Sequence, residues 1–290
     1  MRTSYKGFRM LLVHAHPDDE TINNGATMAL YAALGADVTL VTCTRGEEGE
    51  VLVKDLEHLA AHNTDSLGDH RVEELALAMK ALGISDHRFL GEGRIKYRDS
   101  GMMGTEPNNR PDVFWQANFD EATDDLVKVI EEVKPHVLIT YDEIGGYGHP
   151  DHIQAHRVAM SAAEKSVWNI QKIYWNVMPK SVIQEGIDAM KKIGSDFFGA
   201  ESAEDLPFAK DDSFVHAMVD GNAYVEQKMD AMRAHATQIE VDGPFFALSN
   251  NLGLQVWGHE YYTLVKGDKH EPLDAKGYES DIFAGIELSK

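Results

Sequence analysis

The sequence has a single cysteine, Cys43, in 290 residues, which excludes an internal disulfide and suits a reducing compartment. Set in the apolar run VTLVTCT, that thiol reads as a buried strand residue rather than a nucleophile. Basic residues are scarce: 27 Lys and Arg face 48 Asp and Glu, for a formal charge of −21. A surface of that sign repels phosphate backbones and anionic lipid, so neither nucleic acid nor membrane is an expected partner. No stretch of about 18 consecutive apolar residues occurs. The opening MRTSYKGFRMLLV lacks the apolar core and small-residue cleavage site of a secretion signal, so the expected location is the cytoplasm. There is no GxGxxG after the first apolar run and no GxxxxGK followed by Ser or Thr, which leaves nucleotide binding unsupported. With 9 prolines, no low-complexity tract and no internal repeat, the chain reads as an ordinary globular protein.

What is present is an alternation. RMLLVHA, ADVTLVTCT, HRFLG, PHVLITY and QKIYWNV read as strands, separated by helical patterns such as INNGATMALYAALG, RVEELALAMKALG, DEATDDLVKVIEEV and HIQAHRVAMSAAEKSV. That order predicts an α/β fold, Rossmann-like, with a mostly parallel, doubly wound sheet. Past residue 178 the pattern loosens into a helix (KSVIQEGIDAMKKIG), a strand (SFVHAMVD), a second helix (AYVEQKMDAMRAHATQ) and an aromatic strand (HEYYTLV). The expected organisation is a catalytic core over 1–178 and a C-terminal α+β cap over 179–290, packed on it as one compact unit. Residues 91–119 form a long segment rich in Gly, Asn and charge, and loops of that length are usually functional or mobile. GPFFALSNNLG, at 243–253, suits a loop closing over a pocket, with no specific role.

Two motifs carry chemistry: HAHPDDE at 14–20 and TYDEIGGYGHPDH at 140–152, each directly after a predicted strand. Strand ends in a parallel sheet gather at one edge, where open α/β folds bind their ligands. Four histidines and several carboxylates would meet there. Catalytic zinc is held by three imidazole or carboxylate ligands with a fourth position left for water, and a His-x-x-Asp pair plus one distant His supplies such a set. Helix capping accounts for one acid per turn, at Asp18 or Asp19 and at Asp151. It does not account for His-Pro-Asp twice with further histidines on both sides. Spacing leaves open which histidine is a ligand, because His14 and His16 point to the same face of a strand.

HAHPDDE together with GHPDH resembles the LmbE-like, or N-acetylglucosaminyl-phosphatidylinositol de-N-acetylase, family of zinc-dependent amide hydrolases. TCTRGEEGEV, DHRVEELALAMKALG, YRDSGMMGT, PHVLITYDEIGGYGHPDH and AHATQ followed by ALSNN are similar to the branch that deacetylates N-acetylglucosaminyl-inositol in mycothiol biosynthesis. The likeness is dense over 9–158, returns at 231–263, and is thin over 179–222. It implies His16, Asp19 and His152 as metal ligands, with His14 a supporting strand residue. It further implies Asp18 as general base, and Tyr147 and His149 as donors to the oxyanion. Protonated His149 would serve as acid for the departing amine, with Asp151 as the neighbour that raises its pKa. Arg71 and Asp99 fall on positions that recognise the sugar, and Glu50 on the substrate rim. His235, near the end of a predicted helix, is expected to pack beneath the cap.

The implied partner is a small amino-sugar inositol substrate and the implied cofactor one zinc ion, with Fe(II) the alternative because two imidazoles and a carboxylate suit both. Cleavage of mycothiol S-conjugates is the neighbouring activity. A metal- or carbohydrate-binding protein without turnover is the reading from another class, and Asp18 separates them, because binding needs no base. Phosphoester hydrolysis would want a second metal or a cationic cluster, and neither motif has one. Oligomeric state is open.

Overall fold

The computed structural model describes residues 2–91, 96–192, 194, 197, 199–240 and 258–288; the segment 243–253 therefore lies outside the described residues. Eight strands, β1 (Arg9–His14), β2 (Asp37–Thr42), β3 (Asp86–Phe89), β4 (Val137–Thr140), β5 (Lys172–Pro179), β6 (Ala209–Lys210), β7 (Ala217–Asp220) and β8 (His259–Lys266), share one sheet. Its helices are α1 (Asp19–Ala33), α2 (Leu67–Leu82), α3 (Phe119–Val133), the single turn α4 (Gly145–Gly148), α5 (Pro150–Lys165), α6 (Lys180–Lys192) and α7 (Val225–Ala234).

The strand order is β3-β2-β1-β4-β5-β8-β7, with the short β6 pairing the end of β5. β1 to β5 run parallel, and β8 turns the sheet antiparallel against β5 and then β7. The expected mostly parallel, doubly wound sheet is the one that forms. The run MLLV is apolar throughout because both faces of β1 are buried. Met10 and Leu12 pack toward α1 and α2, while Leu11 and Val13 pack toward α3 and α5. β1 sits between β2 and β4, so the order of strands reverses between β1 and β4. Helix α1 leaves β1 toward one face and α5 follows β4 on the other, which opens a crevice at the carboxyl ends of those two strands. Both motifs lie in that crevice.

The chain beyond residue 178 divides. β7 and β8 continue the sheet, α7 packs on α1 and α2, and α6 builds a small separate cluster around Ile183, Ile187 and Phe197. Two expected elements are shorter than their patterns. Helix α7 stops at Ala234 because Thr237 turns its backbone N–H and hydroxyl onto Glu74, at 2.8 and 2.7 Å, out of the helical path. The strand read from SFVHAMVD begins only at Ala217, because Asp211 accepts from Ser213 N–H at 2.9 Å and closes a 3₁₀ turn first. No helix among the described residues is long and apolar enough to cross a membrane.

Candidate active site

The two motifs bring three ligating atoms together. His16 Nδ1 lies 3.3 Å from His152 Nε2 and 3.4 Å from Asp19 Oδ2, and His152 Nε2 lies 3.4 Å from Asp19 Oδ2. A tetrahedral ion with bonds of about 2.0–2.1 Å needs ligand atoms about 3.3–3.4 Å apart, so this triangle fits one face of such a site. Among the described residues, two further groupings, His16 with His149 and His152, and His16 with Asp99, His149 and Asp151, offer ligand atoms within 4.8 Å of one another, and both fall in this crevice.

The outer nitrogens of the two rings fix their tautomers. His16 Nε2 is 3.2 Å from Asp151 Oδ2, and His152 Nδ1 is 3.2 Å from the Gly145 carbonyl. Those oxygens accept, so both outer nitrogens carry a proton. Against burial, Asp99, Asp151 and Asp19 hold the His16 pKa well above the ordinary imidazole range, and a bound cation would take the place of the proton on its inner nitrogen. Asp19 is held by His16 N–H at 2.9 Å and by the Tyr141 hydroxyl at 2.7 Å. Burial alone would raise its pKa, but His152 and His16 keep it well below the ordinary carboxylate range. His14 turns away from the triangle, with Nδ1 3.2 Å from the Tyr141 hydroxyl and Nε2 2.7 Å from Asn24 Oδ1.

Asp18 occupies the position before α1, yet its side chain makes no cap hydrogen bond. Its φ of 118° is a conformation L residues rarely hold, and it persists because the surroundings over-determine it. Glu20 accepts its N–H at 2.9 Å, and Arg71 Nη2 meets its carboxylate at 3.1 Å. Burial lifts the Asp18 pKa to about 6, against the opposing charge of Arg71. Arg71, which itself lines the cavity, also donates through its two terminal nitrogens to the carbonyls of Gly46 and Pro17. Gly46 is required there: its φ is +68°, and a Cβ would stand 1.9 Å from Arg71 Nη1.

One expectation needs correction. The Asp151 carboxylate does not raise the basicity of His149, because it accepts from His16 Nε2, from Ser100 N–H at 2.9 Å and from the Ser100 hydroxyl. His149 meets only the backbone N–H of Asp151, at 3.2 Å on Nδ1. Burial, then His16 and His152, push the His149 pKa down to about 3, with Asp99 opposing weakly. His149 is therefore a neutral ring that accepts on Nδ1 and carries its proton on Nε2.

Tyr147 stands at the mouth, 44 % exposed, its ring 4.9 Å from that of His152. Burial and the nearby Asp19 charge raise its pKa, so it keeps its proton. Asp99 is buried with Oδ1 3.6 Å from His16 Nε2 and 3.9 Å from His149 Nε2, and Glu50 is exposed at the rim. All of these line, or lie just behind, a cavity of about 710 Å³. His235 does not line it. Fully buried behind Asp18, His235 places Nε2 2.9 Å from Glu20 Oε1.

Sequence reasoning passed over Ser100, Tyr141 and Lys210. Ser100 stands inside the quoted YRDSG and Tyr141 ends the quoted PHVLITY, but nothing in their spacing shows that one grips Asp151 and the other Asp19. Lys210, which the sequence patterns did not single out, lines the cavity with Pro207 and Phe208.

The profile of the family described as PIG-L, GlcNAc-PI de-N-acetylase, matches residues 11–163. The 1D-myo-inositol 2-acetamido-2-deoxy-alpha-D-glucopyranoside deacetylase of Geodermatophilus obscurus is 57% identical over 291 residues, which cover 96% of this chain and 98% of that one. Among solved structures, N,N'-diacetylchitobiose deacetylase from Pyrococcus horikoshii superposes with a TM-score of 0.56 at 20% identity, covering 89% of this chain and 84% of its own. The 4-carboxy-2-hydroxymuconate hydratase GalB from Pseudomonas putida does so with a TM-score of 0.59 at 17% identity, covering 92% and 100%. A deacetylase and a hydratase share this scaffold, so the fold alone does not choose the reaction.

Proposed function

The chain belongs to the PIG-L family of GlcNAc-PI de-N-acetylases, and from that premise we propose that it hydrolyses the acetamide of 1D-myo-inositol 2-acetamido-2-deoxy-α-D-glucopyranoside. The products are glucosaminyl-inositol and acetate, in a step of mycothiol biosynthesis. The observation that carries the reading is the near-equilateral triangle of His16, Asp19 and His152, with the Asp18 carboxylate opening into the same cavity.

His16, Asp19 and His152 would hold one zinc ion, or Fe(II), since two imidazoles and a carboxylate suit either. When bound, the ion supplies Lewis acidity, bringing the pKa of a water toward roughly 7 and polarising the amide carbonyl. Asp18, with a pKa of about 6, is mostly ionised near neutrality and takes the proton released as the water attacks. Arg71 keeps that carboxylate aimed. As the carbon–oxygen bond forms, negative charge builds on the carbonyl oxygen, and the Tyr147 hydroxyl and His149 Nε2–H donate to it. As the carbon–nitrogen bond breaks, the proton held by Asp18 passes to the leaving nitrogen. Asp151 holds His16 in the tautomer that ligates, and Asp99 and Glu50 offer acceptors to sugar hydroxyls.

Release of free amine from the acetylated sugar-inositol by metal-depleted protein, before and after zinc is returned, tests this, with a mycothiol S-conjugate run beside it. Zinc-dependent release, faster on the acetylated sugar, supports the deacetylase. Faster cleavage of the conjugate keeps the chemistry and replaces the substrate. No release from either removes the assignment and leaves a metal-binding protein.

A further inference from the structure

The turn that carries Tyr147 is tied to the C-terminal part of the chain by one side chain. After β4, Asp142 gathers this turn: its carbonyl accepts from Gly145 N–H at 3.0 Å and its Oδ1 accepts from Gly146 N–H at 2.7 Å. The turn is unusual in its backbone. Gly145 has φ +64°, and Gly146 combines φ +73° with ψ −74°, outside any helical geometry. Such a conformation holds only where its surroundings enforce it. No side chain fits at Gly145, because a Cβ there would lie 2.6 Å from His152 Cβ, and its carbonyl faces His152 Nδ1 at 3.2 Å. Tyr147, by contrast, makes ring contacts with His149 and His152, and its hydroxyl has no hydrogen-bond partner among the described residues. Its direction is therefore set by the turn beneath it.

The other carboxylate oxygen of Asp142, Oδ2, lies 3.0 Å from Lys210 Nζ. Lys210 ends β6, whose register pairs it with Pro179 and Ala209 with Met178 at the end of β5. Its neighbours Pro207 and Phe208 line the same cavity. One flank of the cavity is thus latched to this turn through Lys210 and Asp142, both partly shielded, at 26% and 15% side-chain exposure.

We propose that Lys210 is a positioning residue for the reaction: through Asp142 it fixes the Gly145–Gly148 turn so that the Tyr147 hydroxyl points at the reacting carbonyl. This rests on the deacetylase reading above. It gives the segment 179–222, which lies outside the family profile's match at 11–163, a defined part in catalysis rather than only in enclosing the substrate.

The test combines kinetics with amide hydrogen exchange on the zinc-loaded full chain. Lys210→Met is expected to lower kcat by about tenfold, the scale on which a misdirected group costs rate, while KM stays within about twofold and metal content is unchanged. Lys210→Arg, which keeps the charge, restores most of the rate. In a Tyr147→Phe background the Lys210→Met change loses its effect, because the hydroxyl it aims is gone. Amides of residues 143–148 exchange faster in Lys210→Met than in the wild type. Equal kcat losses in both backgrounds, a rise in KM alone, or unchanged exchange would overturn the proposal. The exchange measurement needs no substrate, so it separates failure of the latch from failure of the substrate assignment, which the wild-type rate reports.

Discussion

His16 Nε2 stands 3.2 Å from Asp151 Oδ2, on the side of the ring opposite the ligand triangle. Ser100 holds that carboxylate through its N–H and its hydroxyl, so a segment arriving from the long stretch after β3 sets the orientation of a ring on β1. In the proposed site Asp151 therefore supports a metal ligand rather than the proton transfer.

Replacing Asp151 by Asn leaves the volume and removes an acceptor, so His16 loses its orientation and part of its basicity. Asp151→Asn should weaken metal affinity by about 10–100-fold. Competition with a chromogenic chelator measures it; an unchanged affinity with a collapsed kcat would return Asp151 to proton transfer.

Asp18 lies outside the triangle and has no metal-holding contact of its own. Asp18→Asn should keep metal content and lower kcat by about 10²–10⁴-fold, the range of a lost general base. Metal analysis of the purified variant beside its turnover number decides this, and a variant that loses its metal would contradict the division of labour.

Asp18, Asp19, Asp99 and Asp151 converge on one buried crevice, and a cation binding there favours the folded state over the unfolded one. At a free concentration about 1,000 times Kd, the ion should add roughly 4 kcal/mol of stability. Thermal denaturation with and without chelator would show a clear rise in Tm on metal binding; coincident curves would mean the triangle does not load.

His136 gives a pH prediction away from the site. Buried at 2% exposure, its Nδ1 accepts the Arg9 N–H at 3.0 Å, and burial, then the Arg9 charge, lower its pKa to about 4. Between pH 6.5 and 4 the unfolded chain takes a proton here that the folded chain refuses, so stability present above pH 6.5 is lost as pH falls through that window. His136→Asn should lose less stability than the wild type between pH 7 and 5, measured by denaturant unfolding at each pH. Equal losses would show that His136 titrates normally.

The amino-acid order by itself determined the alternation of buried strands with amphipathic helices, because periodicity and apolar runs are local properties. It also determined that HAHPDDE and TYDEIGGYGHPDH lie at the ends of β1 and β4, since each motif directly follows an apolar run. It could not decide that those strands are neighbours at the point where the sheet order reverses. Pairing across more than 120 residues is a choice made by the whole core, as Met10 against Val137 shows. The same holds within the site. That Asp151 faces His16 rather than His149, that Arg71 braces Asp18, and that His14 serves Tyr141 depend on which side chains the crevice brings within 3.2 Å of one another. Residue types fixed the chemistry available at this crevice; the burial and distances that lift the Asp18 pKa to about 6 and keep His149 neutral exist only once distant segments close around them.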